Sequence, residues 1–82
     1  MTDLRSDPAW REHTAALTAA GWQRLDTGYY RHTETGHEYD AFLGVYSGGR
    51  ATHIWRVYVE RGELPDPAKT KRERHRMVMA DG

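Results

Sequence analysis

The stretch GYYRHTETGHEYDAF, residues 28–42, decides the fold because it has the form of a β-hairpin. Two runs rich in aromatic residues flank the turn signal TETG, and alternate residues of a strand point to opposite sides of a sheet. A four-residue turn sets Arg31 opposite Glu38, which pairs a base with an acid. The same register sets Tyr30 opposite Tyr39. The stretch therefore predicts an antiparallel pair of strands with two different faces.

A helix is predicted on the N-terminal side of the hairpin, over residues 7–20. Asp7 can cap its first turn, and Pro8 suits the first helical position, where a missing N–H costs no hydrogen bond. A stripe of residues recurs at three- and four-residue steps, which is the spacing of one helix face. Its members are Trp10, His13, Thr14, Leu17 and Ala20. Gly21 then ends the helix, because glycine readily adopts the conformation of a C-terminal cap.

A second turn signal, SGGR, follows the hairpin and predicts a third strand. The three strands are placed at residues 22–32, 37–46 and 51–60, in the order of an antiparallel meander, and a break of the first strand at Gly28 is left open. A further helix is predicted at 67–79, with Asp66 as its cap. The fold class is therefore α+β: an N-terminal helix packed on a three-stranded antiparallel β-meander, followed by a basic C-terminal helix, in α-β-β-β-α order.

The SGGR turn leaves two registers open for the second and third strands. A three-residue loop with a bulge sets Asp40 opposite Arg56, whereas a two-residue turn at Gly48 and Gly49 sets Asp40 opposite Val57. We prefer the first register, because it pairs an acid with a base across the strands.

Alternation along these strands separates an apolar face, which is expected to take the helix, from a face of rings and arginines. Tyrosine, tryptophan and arginine are the residues enriched at the hot spots of protein interfaces. The second face is therefore the candidate partner-binding surface. Its residues are Tyr29, Arg31, Phe42, Tyr46, Arg56 and Tyr58.

The charges are divided unevenly, although the net charge is zero. Residues 1–68 carry seven basic and ten acidic side chains, and residues 69–82 carry five basic and two acidic ones. We interpret residues 1–65 as a single α+β domain and residues 66–82 as a basic C-terminal helix or tail. Such a segment engages phosphates or an acidic protein surface, or is simply solvated. The candidate electrostatic patch comprises Lys69, Lys71, Arg72, Arg74 and Arg76.

Length and composition exclude several classes of protein. A chain of 82 residues predicts one small domain with a thin core. The absence of cysteine excludes disulfides and thiolate zinc sites. No apolar run has the length of a signal peptide or of a membrane span, so we expect a soluble cytoplasmic protein without a membrane partner.

The histidines raise the possibility of a metal or catalytic site. His32 and His37 flank the turn with Glu38 and Asp40 nearby, but the spacing HxxxxH is not a strong zinc signature. The five histidines could serve acid–base chemistry, yet the chain has no nucleophile elbow, phosphate loop or HExxH motif. We therefore predict no metal, no cofactor and no catalytic residue.

Two kinds of partner stay open for the candidate surfaces. Unpaired bases could stack on the rings beside Arg31 and Arg56, while the basic tail contacts RNA or DNA phosphates. Glu38 and Asp40 share that face, and they disfavour a nucleic-acid partner. The composition favours a protein partner, which we expect to belong to a nucleoprotein complex.

Two resemblances bear on function. The run LTAAGWQRLDTGYYRH, residues 17–32, is similar in cast to the start of HicA-type toxin ribonucleases, which share the α-β-β-β-α order and place a catalytic histidine soon after a Gly-Ser-His run. In this chain that resemblance implies a catalytic role for His32, although residues 28–32 read GYYRH. In size and style, rather than by motif, the chain resembles the small inhibitors of phages and mobile elements, such as the anti-CRISPR proteins.

The second resemblance implies a protein that occludes a site on a larger nucleoprotein machine and needs no chemistry of its own. We therefore predict a non-enzymatic protein-binding inhibitor or regulator, which blocks a nucleic-acid-handling complex through the aromatic and arginine face and the basic tail. The alternative is an RNA-binding module or a HicA-like toxin ribonuclease.

Overall fold

The structure, a computed structural model, describes residues 4–81. After a single 3-10 turn at Leu4–Ser6 the elements are α1 (Pro8–Ala19), β1 (Trp22–Asp26), β2 (Tyr29–His32), β3 (Glu38–Asp40), β4 (Gly44–Ser47), β5 (Arg50–His53), α2 (Ile54–Arg61) and α3 (Lys71–Asp81). Strands β1, β2 and β3 form an antiparallel meander, and β4 pairs with β5. The predicted α+β fold class is confirmed, although the bounds of several elements differ from the prediction.

Helix α1 begins as its sequence predicts. The Asp7 carboxylate accepts a hydrogen bond from the Ala9 N–H at 3.0 Å, and Pro8 occupies the first turn. Three members of the predicted stripe, Trp10, His13 and Leu17, are buried against the sheet side of the helix. The cap and the stripe together fix where the helix starts and which face it buries.

The hairpin of β2 and β3 also has the predicted register. Tyr30 is paired with Tyr39 and Arg31 with Glu38, and a hydrogen bond of 2.9 Å from the His32 N–H to the His37 carbonyl closes the turn. Both tyrosines are buried, so the inner side of this hairpin belongs to the core. The outer side carries the charged pair.

The predicted strand 22–32 is broken at Gly28, where the chain reverses and so forms β1 and β2. Gly28 has a φ of 74°, which is unfavourable for any residue with a side chain. A Cβ placed on Gly28 would lie 2.5 Å from the ring of Phe42, so that ring occupies the space a side chain would need. The β1–β2 turn therefore depends on glycine for two separate reasons.

The predicted strand 37–46 is interrupted at Asp40. The Asp40 carboxylate accepts a hydrogen bond from the Phe42 N–H at 3.0 Å, and such a side-chain bond competes with strand pairing. The chain turns here and pairs again only from β4 onwards. The expected pair of Asp40 with Arg56 does not form, and the Arg56 guanidinium lies 3.7 Å from the Asp7 carboxylate instead.

The preferred register of the second turn is also wrong. Ser47 pairs with Arg50, so the turn consists of Gly48 and Gly49 alone. Both glycines have positive φ angles, of 56° and 78°. Two-residue hairpin turns whose twist matches the strands need positive φ at both positions, and adjacent glycines supply it at little cost.

The predicted third strand, 51–60, is wrong beyond His53, where helix α2 begins. Ile54, Trp55 and Tyr58 are buried at helical spacing. The first N–H groups of α2 donate to the carbonyls of the β3–β4 turn, including Ile54 N–H to Leu43 O at 2.8 Å. Branched and aromatic residues favour strands on average, but here burial at positions one helical turn apart decides the structure.

Helix α3 begins at Lys71, later than the predicted residue 67. Asp66 caps a short turn, where its carboxylate accepts from the Ala68 N–H at 2.9 Å. The Thr70 hydroxyl accepts from the Glu73 N–H at 3.2 Å and so caps the helix itself. The helix packs against β3, β4 and α2, which makes the C-terminal segment an integral part of the fold.

Aromatic rings make up most of the core. Trp55 is fully buried, and its ring centroid lies 5.1 Å from that of Trp10 in an edge-on arrangement. Tyr39 lies edge-on to Tyr58 at 5.8 Å, and its hydroxyl is 2.9 Å from the His13 Nε2. Large rings suit so short a chain, because each buries a large apolar area while few side-chain torsion angles become fixed.

Arg74 is buried between α3 and the sheet. Its Nη1 donates to the Asp66 carbonyl at 2.7 Å and also to the Lys69 carbonyl, and its Nη2 donates to the Glu38 carbonyl of β3. The guanidinium lies over the Trp22 ring, 5.1 Å from its centroid. Burial lowers the pKa of Arg74, but a guanidinium stays charged at any ordinary pH.

Replacing Gly28 with alanine is expected to destabilise the protein by about 2 kcal/mol or more, because it adds a contact with Phe42 to the strain of a positive φ. Gly36→Ala is the matched control, since Gly36 has a φ of 75° and a Cβ there would meet nothing within 4 Å beyond its own chain neighbours. The control should lose only about 1 kcal/mol. Urea unfolding of both variants measures the difference, and equal losses would contradict the role given to Phe42.

Replacing Arg74 with alanine is expected to cost about 3 kcal/mol, because it leaves carbonyls of Asp66, Lys69 and Glu38 without their donor. Arg76→Ala, at an exposed position on the same helix, should change the free energy of unfolding by less than about 0.5 kcal/mol. Thermal unfolding followed by circular dichroism compares the two. A loss no larger in Arg74→Ala than in the control would contradict the structural role.

Candidate functional site

The six predicted partner-binding residues do not form one face. Phe42 is half-buried and stacks on Trp10, with 5.3 Å between the ring centroids. Tyr58 is buried on α2 against Tyr39. Both rings belong to the core, because the segments that carry them are a turn and a helix rather than strands that expose alternate residues.

Tyr46 and Arg56 lie on elements outside the three-stranded sheet. Tyr46 is on β4 and is 68% exposed, which makes it the most exposed large ring among the described residues. Arg56 is on α2, where its guanidinium lies 4.6 Å from the centroid of the Trp55 ring. Neither residue joins the outer face of the sheet.

Tyr29 and Arg31 remain together on the outer face of the sheet and share one acceptor. The Tyr29 hydroxyl donates to the Glu38 carboxylate at 2.8 Å, and an Arg31 guanidinium nitrogen lies 3.3 Å from its second oxygen. These two hydrogen bonds lower the pKa of Glu38, the bond from Tyr29 having the larger effect. The bond to Glu38 likewise raises the pKa of Tyr29.

The start of α3 extends this cluster. The Lys71 ammonium lies 5.3 Å from the centroid of the Tyr29 ring, within the range of a cation–π contact. A residue of the predicted partner-binding set thus meets one of the predicted electrostatic patch. We call the cluster of Tyr29, Arg31, Glu38 and Lys71 the sheet–helix face.

The rest of the predicted electrostatic patch is divided between different environments. Arg74 is 1% exposed and bonded to three carbonyls, so its inclusion in a surface patch is wrong. Lys69 is half-buried, and Arg72 and Arg76 are exposed. Arg76 lies with Met77 in a shallow groove of α3. A helix turns successive side chains through about 100°, which is why a run of basic residues does not share one side.

Sequence reasoning missed the burial of Arg74, although a signal was present. The inward side of α3 carries Lys71, Arg74, His75 and Val78, which recur at three- and four-residue steps. A search restricted to apolar residues finds no stripe in this helix. Counting the long stems of lysine and arginine as partly apolar would have revealed it.

Four of the five histidines donate a hydrogen bond from the ring to a backbone carbonyl. The bonds are His32 Nε2 to Ala20 O at 3.0 Å, His37 Nδ1 to Pro67 O at 2.9 Å, His53 Nδ1 to Phe42 O at 2.9 Å, and His75 Nε2 to Gly44 O at 2.7 Å. Each donates to a residue at least eleven positions away in the chain. These rings therefore fasten loops and helices to one another.

His32 is buried against Trp22, although a histidine beside a turn is expected to be exposed. Its Nε2 is bonded to the Ala20 carbonyl, and its Nδ1 accepts the Glu34 N–H at 3.3 Å. Both ring nitrogens are thus used by the backbone. The catalytic role that the HicA resemblance implies for this residue stays a prediction.

Within residues 4–81, no group of three or more histidine and carboxylate side chains is placed to hold a metal ion. His32 is buried and bonds to the Ala20 carbonyl, whereas His37 bonds to the Pro67 carbonyl, so the two imidazoles have separate hydrogen-bond partners. The same part of the chain has no helix with the length and apolar character needed to span a bilayer.

Comparison of the chain with known protein families, with curated proteins and with solved structures finds no significant match.

Stability should fall between pH 6.5 and pH 4 because of His13. Burial lowers the pKa of His13 from 6.5 to about 4. Between these pH values the imidazole is protonated in the unfolded chain and neutral in the folded protein. The lost stability should approach about 3 kcal/mol by the lower limit. Urea unfolding at several pH values measures it. His13→Gln keeps a partner for Tyr39 without titrating, and an unchanged slope in that variant would contradict the assignment.

Proposed function

We propose that this protein is a non-enzymatic binding protein that inhibits or regulates a nucleic-acid-handling protein complex, and that it docks through the sheet–helix face. The observation that carries the proposal is the fixed arrangement of Tyr29, Arg31 and Lys71 around Glu38. A ring, a guanidinium and an ammonium are presented together by two rigid elements. Occlusion of a partner's site needs such a surface and no reaction.

Preorganisation supports this choice of surface. The Tyr29 hydroxyl is tied to Glu38, and the Arg31 side chain, which is 52% exposed, bonds to the same carboxylate. Side chains that are already ordered lose less conformational entropy when a partner binds. Tyrosine and arginine are also the residue types whose truncation most often weakens an interface.

The charge of the face indicates an acidic partner. Glu38 is the one acidic member of the four, and its two oxygens are already bonded to Tyr29 and Arg31. Arg31 and Lys71 therefore outnumber the single carboxylate on this face. Complementary charge steers association and disfavours wrong partners. We therefore propose an acidic protein surface as the occupant, as in an inhibitor of the anti-CRISPR kind.

The proposal is tested by affinity capture from a nuclease-treated bacterial lysate, followed by binding measurements with the purified captured protein. Lys71→Glu should weaken binding at least about tenfold by reversing charge beside Tyr29. Tyr29→Ala should cost more than about 1 kcal/mol if the ring is a hot spot. Equal affinities of wild type and both variants would refute the sheet–helix face as the docking surface.

Arg50→Glu is the control, because it makes the same reversal at an exposed position on β5, outside the sheet–helix face. It should bind as the wild type does. Circular dichroism verifies that every variant is folded. If nuclease treatment removes the captured material altogether, the RNA-binding alternative replaces the protein partner.

A further inference from the structure

A groove of about 350 Å³ lies between the β4–β5 hairpin, α2 and α3. Its floor is apolar and takes one valine from each of β4, α2 and α3: Val45, Val57 and Val78. Val45 and Val78 are buried, and Val57 is half-buried. We call this the valine groove. It shares no residue with the sheet–helix face.

Tyr46 lies on the rim of the valine groove and does not fill it. The residue is 68% exposed on β4. Within residues 4–81 its ring contacts no other ring, and its hydroxyl has no hydrogen-bond partner. Tyrosine is enriched at interface hot spots, because its ring adds a large apolar area and its hydroxyl can bond at the edge. The hairpin therefore presents a projecting ring beside an apolar hollow.

The walls of the groove carry opposite charges. Arg50 lies on β5 and Glu60 on α2, and both are exposed. In the part of the chain that the structure describes, neither side chain forms an ion pair or a hydrogen bond. Arg61, the third charged residue of the lining, already interacts within its own chain. A partner that presents one acid and one base would pair with both Arg50 and Glu60.

We propose that the valine groove is the contact surface of a symmetric dimer, and that its occupant is the Tyr46 ring of a second copy of this chain. Two-fold symmetry brings the same patch of both copies together, so every contact occurs twice with the roles exchanged. A surface with a ring beside a hollow, and an acid opposite a base, matches itself under that symmetry. Arg50 of each copy then pairs with Glu60 of the other.

The exposure of the hairpin favours a second copy as the occupant. Arg50, Ala51 and His53 of β5 are exposed, and the β4–β5 sheet has only two strands. Two-stranded sheets need packing from another layer for stability. A second copy seated in the groove would cover the hairpin where it meets α2. It would supply the ring, the acid and the base from residues that the chain already has.

The test is sedimentation equilibrium of the full chain at concentrations up to about 200 µM, which covers the affinities of small interfaces. The wild type should reach twice the 9.5 kDa mass of one chain. Tyr46→Ala should weaken the dimer at least about tenfold, because it removes the ring that fills the groove. A wild type that stays monomeric over the whole range would overturn the proposal. Equal dimerisation of Tyr46→Ala would overturn it as well.

Charge reversals test the pairing across the two-fold axis. Arg50→Glu and Glu60→Arg should each weaken the dimer at least about tenfold, because each sets like charges opposite one another. An equimolar mixture of the two variants should recover the dimer, since every contact then joins an acid and a base again. A mixture that stays monomeric while circular dichroism shows both variants folded would refute the pairing of Arg50 with Glu60.

Arg31→Glu is the control, because it reverses charge on the sheet–helix face and should leave the dimer unchanged. Loss of the dimer in Arg31→Glu would place the contact on the sheet–helix face and refute the valine groove. The proposed dimer leaves both sheet–helix faces uncovered. Arg50→Glu should therefore lose the dimer but keep the docking affinity of each chain, so the dimer and the docking surface can fail separately.

Discussion

The hydrogen bonds from the Arg74 guanidinium to three backbone carbonyls are the interaction on which the rest of the structure depends. Two of those carbonyls, of Asp66 and Lys69, lie in the turn before α3, and the third, of Glu38, lies in β3. One side chain therefore fixes the path of the chain into α3 and the position of that helix against the sheet. The side chain of Glu38 faces outward and anchors Tyr29 and Arg31, so the core and the candidate docking surface are joined through a single residue.

The polar atoms of the core also form hydrogen bonds that join separate segments of the chain. An 82-residue chain has little apolar volume, and its core is built from rings that carry nitrogen or oxygen at their edges. His13 and Tyr39 satisfy each other, and the other histidines bond to carbonyls of distant segments. The histidines of this protein thus serve to connect loops and helices through hydrogen bonds to backbone carbonyls. The arginines likewise differ in role: Arg74 is buried and supports the fold, whereas Arg72 and Arg76 are exposed on the surface.

The sequence correctly predicted the elements that are determined by residues close together in the chain. The Asp7-Pro8 cap and the hairpin register of Arg31 with Glu38 depend on residues close in sequence, and both predictions are confirmed. Residues 54–61 could not be assigned in that way, because their branched and aromatic side chains are typical of a strand. Burial of Arg74 depends on a carbonyl 36 positions away.

The contact between Gly28 and the Phe42 ring has a consequence for sequence divergence. The ring occupies the volume that a side chain at position 28 would fill, so a side chain at 28 requires a smaller residue at 42. Homologous sequences that keep a large ring at 42 are expected to keep glycine at 28. A sequence with a larger residue at 28 should carry a smaller one at 42. The two sites would then covary although they lie fourteen positions apart in the chain. That signature would identify distant relatives that share the turn between β1 and β2.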